Sequence, residues 1–368
     1  MINFEDLTIG IEEEYQIINP DSRELTSFIT EFLEHGAMVF RDQVKPEMLQ
    51  SQVEIGSHVC RNIAEARTEV TRLRRMVSDI AEKNNRKIVA AGTHPFSRWQ
   101  DQLVTDKDRY KGLIQDMQYV AKRLLIFGMH VHVGIPNKHL RIDIMNQMSY
   151  FMPHILTLST SSPFWLGANT GMKSYRSIIF QDLPRTGLPE YFDSANEYEY
   201  YIEQLIQMNC IEEPTKIWWD IRPHPKFPTL EFRVCDCTTK INEVIAIAAL
   251  LQALVAKLLI LRKHNQTWRI YRRGLIEENK WRALKDGIDG KLLDLGKVEE
   301  VPARFLLEEM LDFVDDVLDP LGTREEIEYI RTILQTGTSA DRQLKKYNET
   351  NSLEAVIDML AEETVEGC

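Results

Sequence analysis

The stretch Gly10-Ile11-Glu12-Glu13-Glu14-Tyr15, set in an otherwise apolar alternating run from Leu7 to Ile18, constrains this chain more than any other. Side chains of a strand alternate between its faces, so Glu12 and Glu14 share one face while Ile11, Glu13, Tyr15 and Ile17 share the other. Two carboxylates a residue apart on a sheet face suit a hard cation, and oxygen ligands of this kind are those that magnesium takes. The bland alternative is a solvated edge strand with an acidic face. Later segments with the same grammar weigh against it.

In Leu49 to Ile55 the alternation puts Gln50, Gln52 and Glu54 on one face and Leu49, Val53 and Ile55 on the other. In Gly128-Met-His-Val-His-Val-Gly134, Met129, Val131 and Val133 share a face, so His130 and His132 share the opposite one. A pair of core histidines bonded to backbone is the alternative there. The third segment, Leu230-Glu-Phe-Arg-Val234, turns Glu231 and Arg233 to the open side; it is entered through Trp218 to Pro225. Such a pair is either a surface salt bridge worth about 0 to 1 kcal/mol or a metal ligand beside a phosphate clamp.

Between these strands the spacing of apolar residues predicts helices over Thr26 to Phe40, Ile63 to about Asn84, Asp108 to Ile126 and Ile142 to Leu158, with a short strand from Lys87 to Ala91. The stretch from Ser161 to Glu190 reads as a long irregular loop; loops of that length in a compact domain are usually functional or disordered, and its Arg176 and Arg185, with several aromatics, favour the first. Beyond Val234 the chain reads as helical: 241–264, 267–285, 302–318, 324–334, 340–347 and 353–363.

A net charge of −12 argues against a broad nucleic-acid surface or attraction to anionic lipid, so a phosphate ligand must meet local arginines or a metal. Five scattered cysteines and an opening without signal-peptide character fit a reducing cytoplasm. The apolar run Val244 to Leu261 is interrupted by Gln252 and Lys257, which favours a buried helix over a membrane span. The chain has no phosphate-binding loop, no dinucleotide glycine fingerprint and no His-Glu-x-x-His. Cys235-Asp-Cys237 reads as structural. With no repeat or linker, 1–368 reads as one domain.

What remains is an antiparallel-type sheet whose open face gathers Glu12, Glu14, Glu54, His130, His132, Glu231 and Arg233. Crowded carboxylates repel or take up protons unless a divalent cation joins them. A cation bridging phosphate oxygens, with arginines nearby, is the machinery of phosphoryl transfer.

The motifs Gly-Ile-Glu-Glu-Glu-Tyr, Gly-Thr-His-Pro-Phe-Ser-Arg-Trp (92–99), Gly-Met-His-Val-His-Val-Gly, Leu-Pro-Arg-Thr-Gly-Leu-Pro (183–189), Leu-Glu-Phe-Arg-Val-Cys-Asp (230–236) and Ala-Asp-Arg-Gln-Leu (340–344) resemble those of the type 2 glutamate–cysteine ligase, or YbdK-like carboxylate-amine ligase, family. The resemblance spans nearly the whole chain. It implies an α+β fold shared with glutamine synthetase and guanido kinases: a curved, mainly antiparallel sheet forming a funnel, helices on its outer face, often as a homo-oligomer. It also implies ATP- and Mg2+-dependent joining (Mn2+ in its place) of a carboxylate, glutamate above all, to cysteine or another small amine. By the same resemblance Glu12, Glu14, Glu54, His130 and Glu231 match metal ligands, Glu47 being a weaker match. Arg233, Arg222 and Arg176 match phosphate or substrate contacts, with His132 and Arg185 as weaker ones. Phe127 and Cys-Asp-Cys-Thr (235–238) depart from the family pattern without touching these ligands, which bears on the acceptor amine. A guanido-kinase-like phosphotransferase and a non-catalytic nucleotide- or metabolite-binding relative are the rival readings.

Overall fold

The computed structural model describes residues 4–33 and 43–368. Strand β1 (Ile9–Ile18) is the one around which the sheet is assembled. Its first half pairs with β5 (Gly128–Gly134), its second with β4 (Lys87–Val89), and its other edge with β3 (Gln52–Gly56). Outside these lie β2 (Val44–Pro46) beyond β3, and β7 (Thr229–Asp236) followed by β6 (Ile221–Pro223) beyond β5. Every pairing in this seven-stranded sheet is antiparallel. The pairing sets Glu12 opposite both His130 and Gly56, Glu14 opposite Glu54, and Glu231 opposite both His132 and Arg222.

The alternation along each strand then decides the layers. Ile9, Ile11, Met129, Val131, Val133, Leu230 and Phe232 join one core with helix α4 (Ile241–Lys263), while Tyr15, Ile17, Val53 and Ile55 join a second with α1 (Ile63–Lys83). Each large apolar side chain so buried contributes about 1.5–3 kcal/mol. Helix α1 starts where the Asn62 side chain accepts from Glu65 N at 2.9 Å, a cap for an otherwise unpaired amide. Among the described residues α4 alone is long and apolar enough to cross a membrane, and 83% of its most apolar window is buried inside the protein. Its two polar interruptions are accounted for: Gln252 donates to Leu7 O at 2.7 Å, and Lys257 pairs with Asp316 at 2.7 Å.

Strand β7 carries one irregularity. Phe232 stands opposite Val131 but Cys235 opposite Met129, so Arg233 and Val234 together face one position of β5. The extra residue changes the phase of the strand and turns Cys235 into the core.

Several sequence-based expectations are corrected. The helix expected over Asp108 to Ile126 stops at Met117, because Gln118 takes φ +50° before a short turn at Tyr119–Lys122. The helix expected from Ile142 to Leu158 is two, α2 (Lys138–Met148) and α3 (Met152–Ser159), joined by a tight turn at Ser149–Phe151. The stretch from Ser161 to Glu190 contains a hairpin and a helix, Tyr175–Phe180, and the helix expected from Thr267 begins only at Arg273, as α5 (Arg273–Asp286). Gln50 precedes β3 and donates to Val104 O. The expected helix Thr26 to Phe40 runs from residue 34 onward outside the described residues.

Candidate active site

One face of the sheet holds two groups of metal-capable side chains, and they differ in how their charge is balanced. In the first, ligand atoms of Glu12, His132 and Glu231 all lie within 4.8 Å of one another. Arg222 grips Glu231 with both arms of its fork, Nε to Oε2 at 2.7 Å and Nη2 to Oε1 at 3.2 Å, and Arg233 Nη1 donates to the same Oε1 at 2.6 Å. Burial alone would push the Glu231 carboxyl up, yet Arg233, Arg222 and His132 hold it far below the usual carboxylate range. Burial likewise opposes ionisation of Glu12, and the His130 ring bonded to it and the His132 ring close by more than offset this, so it too titrates well below its ordinary value. His130 Nδ1 lies 3.0 Å from Glu12 Oε2, and burial pushes its ring down to about 4. His132 Nδ1 lies 3.2 Å from Thr229 Oγ1, while its buried Nε2 has no hydrogen-bond partner and points across 3.6 Å to Glu12 Oε1. An imidazole oriented through one nitrogen with the other bare is the form that a metal ion takes.

In the second group Glu14, Glu47 and Glu54 bring three carboxylates within the same 4.8 Å. No guanidinium is hydrogen-bonded to them among the described residues. Glu14 Oε2 accepts from Gly128 N at 2.6 Å, Glu47 Oε2 from Met48 N at 3.2 Å, and the half-exposed Lys45 stands 3.8 Å from Glu54. Burial pushes Glu14 up to about 7, Arg176 and the Gly128 amide easing this only in part. Burial, then the neighbouring Glu47 and Glu12, raises Glu54 well above its ordinary value; Glu47 is raised by burial and by Glu14.

Arg176 reaches this group from the Tyr175–Phe180 helix, across a gap kept open by a glycine. A Cβ on Gly128 would lie 2.5 Å from Arg176 Nη2 and 3.1 Å from its Cζ. The guanidinium is buried but loosely held: Nη2 is 3.5 Å from Arg233 O, Nη1 is 3.9 Å from Asp236, and Nε has no partner. Its backbone is fixed firmly. Arg176 N donates to Ser162 Oγ at 3.0 Å, and buried Asp236 accepts from Ser161 N, Ser162 Oγ and Ser174 Oγ at 2.7–2.9 Å.

Thus Glu12, Glu14, Glu47, Glu54, His130, His132, Glu231, Arg233, Arg222 and Arg176 come together on one face. His132, the weaker of the two histidines on sequence grounds, belongs to the close three-donor group, with His130 beside it. Arg222 commits four N–H donors to Glu231 and to the carbonyls of Thr215 and Ile217. Arg185 lies on a separate loop, donating to Lys216 O at 3.1 Å with its guanidinium over the Trp218 ring. Sequence reasoning misses the roles of Thr229 and Asp236; the first stands at the start of β7, and the second lies in the 230–236 motif and the Cys-Asp-Cys run, neither of which shows what it binds.

This fold is that of glutamate–cysteine ligases. A glutamate–cysteine ligase from Francisella tularensis, solved in complex with AMP, superposes with a TM-score of 0.75 over 98% of this chain and 88% of that one at 14% identity. A bifunctional glutathione synthetase from Pasteurella multocida gives 0.70 over 99% of this chain and 53% of the other at 13% identity. The chain belongs to glutamate–cysteine ligase family 2, whose family model matches residues 8–362, and is thereby a carbon–nitrogen ligase. Among its relatives, proteins named "Putative glutamate--cysteine ligase 2" from Chloroflexus aggregans and from Roseiflexus sp. are each 56% identical over 360 residues, covering 98% of this chain and 92% and 95% of theirs.

Proposed function

We propose that this protein joins the γ-carboxylate of glutamate to cysteine or another small amine at the expense of ATP, through an acyl phosphate, with Mg2+ (or Mn2+) as the cation. The observation that carries the reading is the single sheet face on which two three-donor groups stand beside Arg233 and Arg176, in a member of this ligase family. The residues suit a divalent cation: His132 Nε2 is buried without a hydrogen-bond partner, and among the described residues no guanidinium is hydrogen-bonded to Glu14, Glu47 or Glu54, whose carboxyls stay raised despite Lys45 and Arg176 nearby. Glu12, His132 and Glu231 would hold one cation, Glu14, Glu47 and Glu54 another. When bound, such ions neutralise polyphosphate oxygens.

The chain's own groups do the rest. Arg233 and Arg176, each with an unpartnered Nε, present N–H donors to phosphoryl oxygens, and Arg222 acts on Glu231, fixing the carboxylate rather than touching substrate. The substrate carboxylate oxygen attacks the γ-phosphorus in line as the bond to ADP breaks. The amine nitrogen then attacks the carbonyl carbon of the acyl phosphate, loses a proton, and inorganic phosphate departs with the C–O bonding pair, leaving an amide.

The test is an incubation with Mg2+, ATP, glutamate and a panel of amines including cysteine, read by mass spectrometry for new amides and by ADP release. Amide and ADP appearing in equal amounts is the expected result. A phosphorylated amine with ADP and no amide would move the protein to the phosphotransferase reading, and nucleotide binding without ADP to the non-catalytic one. A cytoplasmic homo-oligomer belongs to the same proposal; the five free cysteines suit that compartment, and solution scattering reads the assembly.

A further inference from the structure

The loop joining β6 to β7 carries aromatic rings that the proposed chemistry has not used. Its first residue, His224, sets its ring edge-on to His132 at 5.3 Å between centroids, and Phe227 stacks flat on His224 at 4.6 Å and 12°. The three rings therefore lead outward from the Glu12–His132–Glu231 group to the rim. Phe227 ends the series, 55% exposed.

That exposure is not looseness. His224 Nδ1 accepts from Lys226 N at 3.2 Å and from Phe227 N at 2.9 Å; Phe227 O accepts from Thr229 N at 2.8 Å and from Arg141 Nη1 at 3.4 Å; Pro228 O accepts from Ile135 N at 2.9 Å. Pro223, Pro225 and Pro228 stiffen the same few residues. Because Nδ1 is an acceptor, the ring proton of His224 sits on Nε2, so an uncharged flat ring backs Phe227. A large aromatic face is thus held rigidly in solvent.

Charge says what passes beneath it. The guanidinium of Arg233, whose Nε has no hydrogen-bond partner, stands on β7, whereas the Glu14–Glu47–Glu54 group lies toward β3 and β2. Phosphate oxygens are drawn to the free donors of that guanidinium, on the strand that this loop enters, and the His224 ring ties the loop to His132 of the first group. We propose that the outer face of Phe227, backed by His224, is the platform on which the base of the nucleotide substrate stacks. This rests on the ATP-dependent reading above, and adds to it the place of the base.

Stacking of a base on an aromatic side chain is lost on truncation to alanine with about a 5- to 100-fold drop in affinity. The test titrates wild type and Phe227→Ala with Mg-ADP and with Mg-tripolyphosphate, which has no base, after a melting curve confirms the fold. The expected result is ADP binding weakened about 10-fold with tripolyphosphate changed less than twofold, and ADP affinity restored in Phe227→Trp. Unchanged ADP affinity in Phe227→Ala, or equal losses for both ligands, overturns the platform. Wild type that binds tripolyphosphate as tightly as ADP overturns the platform and leaves phosphate binding standing; wild type that binds neither overturns the nucleotide reading and the platform with it.

Discussion

The two acidic groups on this sheet face are built from nearly the same side chains and solve opposite problems. Around Glu231 the protein supplies its own positive charge, two guanidiniums on one buried carboxylate. Around Glu14, Glu47 and Glu54 it supplies almost none, and the carboxyls are pushed upward by burial and by each other. The first group is therefore shaped before any ligand arrives, while the second is paid for by whatever cation enters it. Similar ligand chemistry thus carries a structural duty in one place and a standing cost in the other.

The largest effect should come from Glu231→Gln. Arg222 and Arg233 would be left buried without their counter-ion, a loss of about 3–5 kcal/mol, and ADP release should fall by about 10^3-fold or more. A melting temperature equal to wild type would mean that the arginines do not depend on it. Glu54→Gln should separate the two duties: activity falls about 100-fold, yet the metal-free protein melts no lower than wild type, because one repelling charge has gone. If Glu54→Gln destabilises the metal-free fold as much as Glu231→Gln, the contrast between the groups is broken.

Gly128→Ala probes the cation nearest the second group. The new Cβ would displace Arg176, so turnover should drop about 10-fold while the melting temperature changes little, and Gly128→Ser should behave alike. The smallest effect is a pH dependence. Glu14 titrates at about 7 in the fold and near 4.5 when unfolded, so between those values the folded chain holds the extra proton. The contribution of Glu14 to the stability of the metal-free protein is therefore full below about pH 4.5 and is lost as pH rises through about 7. Added Mg2+ should raise the melting temperature by a few degrees at pH 8 and by less at pH 5.5; equal shifts at both would remove Glu14 from cation binding.

The strand faces were legible in the sequence because alternation is strict, and Glu12, Glu14, Glu54, His130, His132, Glu231 and Arg233 all fall on the side it assigned. Glu47 was harder, since the three-residue strand before it, ending at Pro46, is too short to show a period. The commitment of Arg222 to Glu231 depends on cross-strand pairing that no local pattern reveals. Helix Ala195–Gln207 passed unnoticed because its polar composition buries only Ala195 and Ile202, although Ser194, which caps it by accepting from Glu197 N, gives the usual start signal. The break at Gln118 needs a left-handed backbone that its side chain does not announce.

Glu13 lies between the two ligand-bearing glutamates and faces away from them. Its carboxylate meets Arg74 and accepts from Tyr15 Oη at 2.6 Å, and Arg74, fully buried, also donates to the carbonyls of Thr239 and Thr364. A slip of β1 by one residue would carry Glu12 or Glu14 into that apolar side and leave Glu13 on the open face. In an acidic triplet, hydrophobicity cannot tell three identical side chains apart. A single buried guanidinium can, so Arg74 sets the frame in which the strand is read and thereby decides, from the far side of the sheet, which two glutamates become available to a cation.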